Sequence, residues 1–165
     1  MILLEIQDVK ECMSKLLLSE IFDPFYFIEG EIVTFNTFTI DGYLKKNFFT
    51  SDEQEDIGAR EYSLWKDIRE FCFSIIKGKK TPLSFHLVFA LSKANVEKLL
   101  AQQQLAFTLS DVNGLYLNLK YDGSHLQCVT GTSMHTFTLD KSLEQSWDNM
   151  VEKFFQKQGI ETERK

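Results

Sequence analysis

The segment Gly114-Leu-Tyr-Leu-Asn-Leu-Lys-Tyr-Asp-Gly123 places a leucine at every second position, with polar or aromatic side chains between them. Because successive side chains of a β-strand point to opposite faces, this period of two predicts a strand with one buried face. The Asp-Gly pair at its end is a strong signal for a tight turn, after which residues 125–129 continue as a second strand. The segment therefore predicts an antiparallel hairpin.

A second Asp-Gly hairpin is predicted at residues 41–42. An aromatic and β-branched run over residues 25–40 precedes this pair, and another extended run over residues 43–49 follows it. The polar, acidic residues 51–62 then predict a solvated loop. Three further strands are predicted over residues 1–6, 83–91 and about 134–139.

Four amphipathic helices are predicted, because apolar residues recur at three- and four-residue spacing. The first covers residues 9–18, the others start near residues 63, 94 and 142, and Gly78 ends the second. Trp65 and Trp147 fall on the apolar faces of the second and last helices, so both indoles are predicted to be buried. The charged tail after Gly159 is predicted to fray.

Together these elements predict an α+β fold of two β-α-β-β-type units, in which a mostly antiparallel sheet packs against amphipathic helices. A length of 165 residues suits one domain that buries its own core. We therefore expect a single domain over residues 1–165. The similar order of elements in residues 1–80 and 81–160 further predicts a pseudo-repeat.

The composition is that of an ordinary globular protein, with 44% hydrophobic and 25% charged residues. The 18 basic and 24 acidic side chains give a formal net charge of −6, which repels phosphate and argues against nucleic acid as a partner. No run of about 18 apolar residues occurs, and residues 1–6 lack the basic start of a signal peptide. We therefore expect a cytoplasmic protein that does not insert into a membrane.

The residues that usually carry chemistry form no specific motif. Cys12, Cys72 and Cys128 are odd in number, far apart and surrounded by apolar neighbours, which predicts reduced core thiols without a disulfide or a metal. The sequence contains no C-x-x-C, H-E-x-x-H, G-x-S-x-G or G-x-G-x-x-G pattern. Gly78-Lys-Lys-Thr81 resembles the end of a phosphate-binding loop, but Phe73 occupies the position of its first glycine. We assign no catalytic residue and no cofactor, and the sequence favours binding over catalysis.

The candidate ligand-binding residues are Asn36, Thr37, Ser133 and His135. They adjoin or belong to two similar strings, residues 37–41 and 136–140, which would occupy related edges of the sheet if the two halves are equivalent. His135 has polar sequence neighbours, and imidazole can transfer protons near neutral pH. A threonine ladder that only stabilises strands is the alternative. The binding hypothesis requires Asn36 and His135 to line one cavity.

A strand through residues 34–40 would place Phe35 on the face opposite to Phe38 and Ile40. Either both faces of this strand are covered, or a bulge at Asn36-Thr37 restores one apolar face. Bulges often aim side chains at functional sites, so the bulge hypothesis supports the choice of these two residues.

Four segments carry a resemblance to a known family. They are Thr34-Phe-Asn-Thr-Phe-Thr-Ile-Asp-Gly42, Tyr62-Ser-Leu-Trp65, Gly78-Lys-Lys-Thr-Pro-Leu-Ser-Phe85 and Thr136-Phe-Thr-Leu-Asp-Lys-Ser-Leu-Glu-Gln145. With these segments the chain resembles, over essentially its whole length, an uncharacterised family of short proteins from anaerobic Firmicutes. The resemblance implies a bacterial cytosolic protein. Because the function of that family is unknown, it brings no activity and no site residue.

The order of elements in each half is also similar to the β-α-β-β-β repeat of DNA sliding clamps. Residues 114–123 resemble the passage from helix to hairpin in those repeats. The chain departs from them in its long tryptophan-bearing helices, which clamp repeats lack. A clamp-like protein would need one channel lined by Lys10, Lys15, Lys93 and Lys98.

Three functional hypotheses follow. The first is a cytosolic binding module that self-associates as a homo-oligomer or binds a protein partner. The second is a small enzyme with a polar pocket near Asn36 and His135. The third is a clamp-like accessory protein of DNA metabolism, the one case in which nucleic acid is expected as a partner. A concave pocket with convergent polar groups would support the enzyme, and a flat apolar patch would support the module.

Overall fold

The fold is organised by one antiparallel sheet that runs through both halves of the sequence. The structure is a computed structural model that describes residues 1–76 and 80–165. Two single 3₁₀ turns, Lys46–Phe48 and Leu109–Asp111, lie between the elements. In chain order the elements are β1 (Leu3–Ile6), α1 (Val9–Leu18), β2 (Tyr26–Val33), β3 (Thr37–Asp41), α2 (Ser51–Ile57), β4 (Ser63–Leu64), α3 (Trp65–Ile76), β5 (Ser84–Ala90), α4 (Lys93–Gln102), β6 (Val112–Tyr121), β7 (Leu126–Met134), α5 (Ser142–Lys157) and β8 (Thr162–Arg164).

The order across the sheet is β3-β2-β5-β6-β7-β1-β8, and the two residues of β4 pair with the start of β2. Every described strand pair is antiparallel. This confirms the predicted α+β class and the predicted antiparallel sheet. Within the described ranges, no helix is long and apolar enough to cross a bilayer.

Helices α1, α3, α4 and α5 cover one face of the sheet and contribute buried residues to its core. Leu117 of β6 lies opposite Phe89 of β5, and both belong to the buried core cluster that also contains Trp65 and Trp147. The next residue along β6, Asn118, points to the other face and lies outside that cluster. We call this second side the open face. A register row is a set of residues that lie opposite one another on successive strands. One register row of the open face consists of polar residues that are all at least partly exposed: Thr39, Glu31, His86, Lys120, Gln127 and Glu5.

Two tryptophans fix helices to the rest of the fold, and both are buried as predicted. The indole Nε1 of Trp65 donates to the backbone oxygen of Leu16 at 3.0 Å, which ties α3 to α1. The indole Nε1 of Trp147 donates to the backbone oxygen of Tyr116 at 3.0 Å, which ties α5 to β6. Each indole therefore buries its apolar surface and still satisfies its one polar group.

A buried polar network joins α5 to the sheet. The Thr130 hydroxyl of β7 donates to the Asp148 carboxylate at 2.5 Å and accepts from the backbone N–H of Ile2 at 2.9 Å. The Met1 amino group donates to the other Asp148 oxygen at 3.0 Å and also bonds Glu144. Asp148 is only 6% exposed, so these partners offset the cost of burying its carboxyl group.

The two halves share an order of elements but not a pairing scheme. Each half contains a strand, a helix, a hairpin and a tryptophan-bearing helix, namely β1-α1-β2-β3-α3 and β5-α4-β6-β7-α5. However, β5 pairs with β6, the strand that follows its helix, whereas β1 pairs with β7 and β8 instead of β2. The first strands of the two halves therefore have different neighbours in the sheet.

The first hairpin does not turn at Asp41-Gly42 as predicted. β2 and β3 are joined by residues 34–36, where the Thr34 N–H donates to the Asn36 oxygen at 2.9 Å. This turn removes Phe35 from the strand, so Phe38 and Ile40 share one face without a bulge at Asn36-Thr37. The hairpin at Asp122-Gly123 does form, with Gly123 at φ 100° in a four-residue connection.

Five other local predictions were wrong or fall outside the described ranges. Residues 51–57 form a helix instead of a loop, because Thr50 and Glu53 make a reciprocal capping box. Residues 43–49 and 135–139 are not strands. The tail after Gly159 does not fray but forms β8, which pairs with β1. The predicted helix end at Gly78 lies outside the described residues.

The tryptophan contacts predict a large stability loss on truncation. Trp147→Ala should lower the free energy of unfolding by about 3–5 kcal/mol, because it leaves a cavity and removes the hydrogen bond to the Tyr116 oxygen. Phe137→Ala is the matched control, because Phe137 is 89% exposed and should change stability by less than about 0.5 kcal/mol. Denaturant melts measure both. Equal losses for the two variants would contradict the described packing of α5.

Gly42 is predicted to be intolerant of a side chain. A Cβ atom at this position would lie 1.9 Å from the Phe27 backbone oxygen, which cannot move without disturbing β2. Gly42→Ala should therefore destabilise the protein by about 1–3 kcal/mol or more. Gly131→Ala is the control, because the nearest atom to its added Cβ is 3.7 Å away. Thermal melts that rank the two variants in the opposite order would show that the described path of residues 41–43 is wrong.

Candidate functional site

The predicted site residues lie at two distant places. Asn36 and Thr37 are in and beside the β2–β3 turn, next to the outer strand of the sheet. Ser133 lies opposite Gly114 near the end of β7, and His135 follows it. β3 and β7 are four strand spacings apart, which is roughly 19 Å across the sheet, and the two pairs also lie near opposite ends of their strands. The structure therefore does not bring all four side chains into one site.

The end of the sheet that carries His135 contains a cleft of about 640 Å³. Its floor is a register row of the open face, in which Tyr26, Ala90 and Tyr116 lie side by side on β2, β5 and β6. Its walls come from three segments that flank this row: residues 60–62, the first turns of α4, and residues 109–114. His135 lies at its rim with an exposed side chain. We call this feature the tyrosine cleft, because Tyr26, Tyr62 and Tyr116 all line it.

Two irregularities in the strands shape the cleft. The β2–β5 register shifts between Phe27 and Glu29, and the β6–β7 register shifts between Val112 and Gly114. A bulge bends its strand and redirects the neighbouring side chains. At Gly114, an added Cβ would lie 2.5 Å from the Tyr116 ring. The ring therefore lies back along its own strand, in space that exists only because residue 114 is glycine.

Tyr26 and Tyr62 have defined contacts in the cleft. The Lys93 backbone N–H, in the first turn of α4, donates to the Tyr26 hydroxyl at 3.3 Å. Burial raises the pKa of the Tyr62 phenol, and the nearby Tyr116 and Glu61 raise it further. Tyr62 is therefore a neutral phenol at physiological pH. Its ring also packs edge-on against Tyr43, with 5.7 Å between ring centroids.

Two cationic side chains face the cleft from different segments. Arg60 is half-buried, and its Nη1 donates to the Tyr62 backbone oxygen at 2.7 Å. A guanidinium has five N–H donors, so this bond leaves others for a ligand. Lys93 is exposed at the N-terminal end of α4, where the helix dipole adds positive potential. Among the described residues that line the cleft, Glu61 is the one carboxylate, so this lining carries net positive charge in a chain of net charge −6.

Ser133 supports the cleft indirectly. The Asn113 side-chain amide, which lines the cleft, donates to the Ser133 hydroxyl at 3.2 Å. His135 is fixed through its backbone, where its N–H donates to the Asp111 oxygen at 3.0 Å. Of the four predicted site residues, His135 therefore lines the cleft, Ser133 orients a residue that does so, and Asn36 and Thr37 take no part in it.

The cysteines are poorly placed to act as nucleophiles. All three are buried, and burial raises the pKa of the Cys12 and Cys72 thiols to about 12. Burial also raises the pKa of the Cys128 thiol. Since the thiolate is the reactive form, these side chains are core residues at neutral pH. Within residues 1–76 and 80–165, no group of three or more His, Cys, Asp or Glu side chains is arranged to hold a metal ion.

A second groove, of about 750 Å³, lies between α1 and α3. Its lining is mainly apolar and includes Met13, Leu17 and Phe73, and it extends to Lys80 beside the gap in the described residues. Among the described residues, its lining has fewer polar groups than that of the tyrosine cleft and no row of aromatic side chains. The tyrosine cleft is therefore the better candidate for a ligand site.

The cleft residues Tyr26, Arg60, Tyr62 and Tyr116 were missed by the sequence analysis. Tyr116 is visible there only as an outward side chain of a strand, and Arg60 and Tyr62 lie in a predicted loop. Their meeting depends on the pairing of β4 with β2 and of β2 with β5, both between distant parts of the chain. No local motif carries that information.

Comparison with known protein families matches residues 15–163 to DUF5721, a family of unknown function. No curated protein and no solved structure matches the chain.

The environment of Tyr62 predicts that its phenol ionises at a higher pH than an ordinary tyrosine. Because burial favours the neutral form in the folded protein, one tyrosine should ionise above the ordinary value of about 10. The contribution of the neutral Tyr62 phenol to the free energy of unfolding is present below a pH of about 10, the ordinary pKa of tyrosine. It is lost as the pH rises through the raised pKa of Tyr62. Ultraviolet absorbance of the folded protein against pH measures this ionisation. Tyr62→Phe should remove the late component, which is the absorbance change above the ordinary tyrosine pKa. Tyr121→Phe is the control that should leave it in place, and a late component that survives in Tyr62→Phe would contradict the assignment.

Proposed function

The chain belongs to DUF5721, a family of unknown function, and we propose that it is a binding protein whose tyrosine cleft holds a small anionic ligand with a flat ring. The observation that carries this proposal is the meeting of three tyrosines with Arg60 and Lys93 in one cleft. The flat ring would lie against the tyrosines, and the anionic group would bind the two cations.

The size and lining of the cleft support a small-molecule ligand. Ligand pockets usually have volumes of about 300–1,000 Å³ and combine apolar walls with a few fixed polar groups. The tyrosine cleft, at about 640 Å³, falls within that range. Tyrosine rings offer flat, rigid surfaces on which another ring can stack at little conformational cost.

The charge of the cleft supports an anion. Arg60 is held by its bond to the Tyr62 oxygen, so its remaining donors are preoriented. Lys93 adds a second positive charge from α4, where the dipole also favours an anion. A ring without an anion or an anion without a ring would use only half of these contacts, which argues for a ligand that contains both.

The side chains of the cleft and of the core support binding without catalysis. The cysteines are buried and protonated, and the lining phenol Tyr62 has a raised pKa. The enzyme hypothesis required one pocket near Asn36 and His135, and of these two residues His135 alone lies at the cleft, with its imidazole exposed at the rim. In this proposal His135 contributes to ligand binding, and the protein acts in the cytoplasm.

The clamp-like hypothesis has less support. Lys15 forms an ion pair with Glu11 at 3.2 Å and also bonds the Gln158 backbone oxygen. Lys93 lines the tyrosine cleft. Two of the four lysines that would line a DNA channel therefore have other contacts.

Phenyl phosphate is a suitable probe, because it joins a flat ring to an anion. We expect it to shift amide signals of cleft residues in NMR titrations, with tighter binding than inorganic phosphate or benzyl alcohol. Lys93→Gln should weaken binding about ten-fold, the value of one charge-assisted hydrogen bond of about 1.4 kcal/mol. Lys98→Gln is the matched control, because it removes the same charge from an exposed position on the same helix outside the cleft. Equal weakening by both variants, or shifts outside the cleft, would overturn the proposal.

A further inference from the structure

The two edges of the sheet differ in how they are protected. β8 is three residues long, and its charged side chains are paired, with Arg164 bonded to Glu152 at 3.2 Å. Short, charged edges resist pairing with another strand. β3 is five residues long, contains no proline or lysine, and carries its only charge at Asp41. Within the described residues, β3 pairs only with β2, so its outer backbone groups are free to pair.

Aromatic side chains stand beside this unprotected edge. Phe35, in the turn before β3, is 87% exposed, and its ring packs edge-on against Phe38 at 5.9 Å between centroids. These rings place apolar surface next to the free backbone groups, which a second strand paired with β3 would cover in part. Tyr43, just after β3, is 50% exposed.

We propose that β3 pairs with β3 of a second copy of this chain, in an antiparallel arrangement centred on Thr39. In this register Thr39 faces Thr39 of the second copy, Phe38 faces Ile40, and Thr37 faces Asp41. The phenylalanine and isoleucine meet on the helix-covered face, and such aromatic and β-branched pairs stabilise a sheet. No like charges lie opposite each other.

The sequence of β3 favours a second copy over an unrelated strand. A two-fold interface requires one surface to complement itself, and the five residues Thr-Phe-Thr-Ile-Asp do so about their centre. Asp41 also forms an ion pair with Lys45 of its own chain, at 3.3 Å. The result is a homodimer in which the two sheets continue as one, independent of the tyrosine cleft.

Solution mass and a register-specific cross-link test this dimer together. Sedimentation over a concentration series should show a dimer for the native chain. Thr39→Lys should weaken dimerisation at least about ten-fold, because it places two lysines opposite each other across the symmetry axis. Thr136→Lys is the matched control, because Thr136 is an exposed threonine in a similar string that lies in no strand. Circular dichroism of each variant confirms that the fold is kept.

Cysteine variants test the register. Thr39→Cys should form an intermolecular disulfide on mild oxidation, because residues directly opposite in an antiparallel pair have Cα atoms about 4.5–5.5 Å apart. Thr37→Cys should not, because its symmetry mate would lie roughly 13 Å away. The native cysteines are buried and do not compete. A chain that is monomeric up to about 1 mM, or one that dimerises equally in Thr39→Lys and native forms, would overturn the proposal.

Discussion

The fold depends on the burial of one face of the central strands under the helices, with the Trp147 indole as its best-defined contact. That indole packs into the core and donates to the Tyr116 backbone oxygen of β6. The same strand contributes Leu115, Leu117 and Leu119 to the core and presents Tyr116, Asn118 and Lys120 to the open face. The helices can cover only one side of the sheet, so the open face must satisfy its own polar groups. His86 and Asn118 do so across β5 and β6, at 3.3 Å.

The open face explains where a ligand site can form. At one end of this face, the bulges in β2 and β6, residues 60–62 and the start of α4 surround a row of the sheet. The rigid strands position Tyr26 and Tyr116, while the flanking segments bring Arg60, Tyr62 and Lys93 to them. A scaffold that holds side chains from several distant segments in this way is typical of ligand-binding proteins. The unprotected edge at β3 is a separate feature, and it needs no ligand.

The sequence predicted the elements correctly where the signal was local. The alternation in residues 115–121 predicted β6 and its inward leucines, and the spacing of apolar residues predicted α1, α3, α4 and α5. It failed where a local signal competed with tertiary contacts. The Asp41-Gly42 pair is a strong turn motif, yet Gly42 serves a close approach to the Phe27 backbone instead. The charged tail forms β8 because the edge of β1 offers it hydrogen bonds that no sequence window shows.

The sequence by itself determined the α+β class, the buried tryptophans and the burial of the three cysteines, because side-chain periodicity depends only on the geometry of one helix or strand. It also singled out His135, which does line the cleft. Only the tertiary structure decided that Asn36 and Thr37 lie far from Ser133 and His135, and that Tyr26, Tyr62 and Tyr116 meet. These facts depend on which strands become neighbours, and strand order is set by the packing of the whole chain. A single sequence shows what each strand can bury, but not which partner it will have.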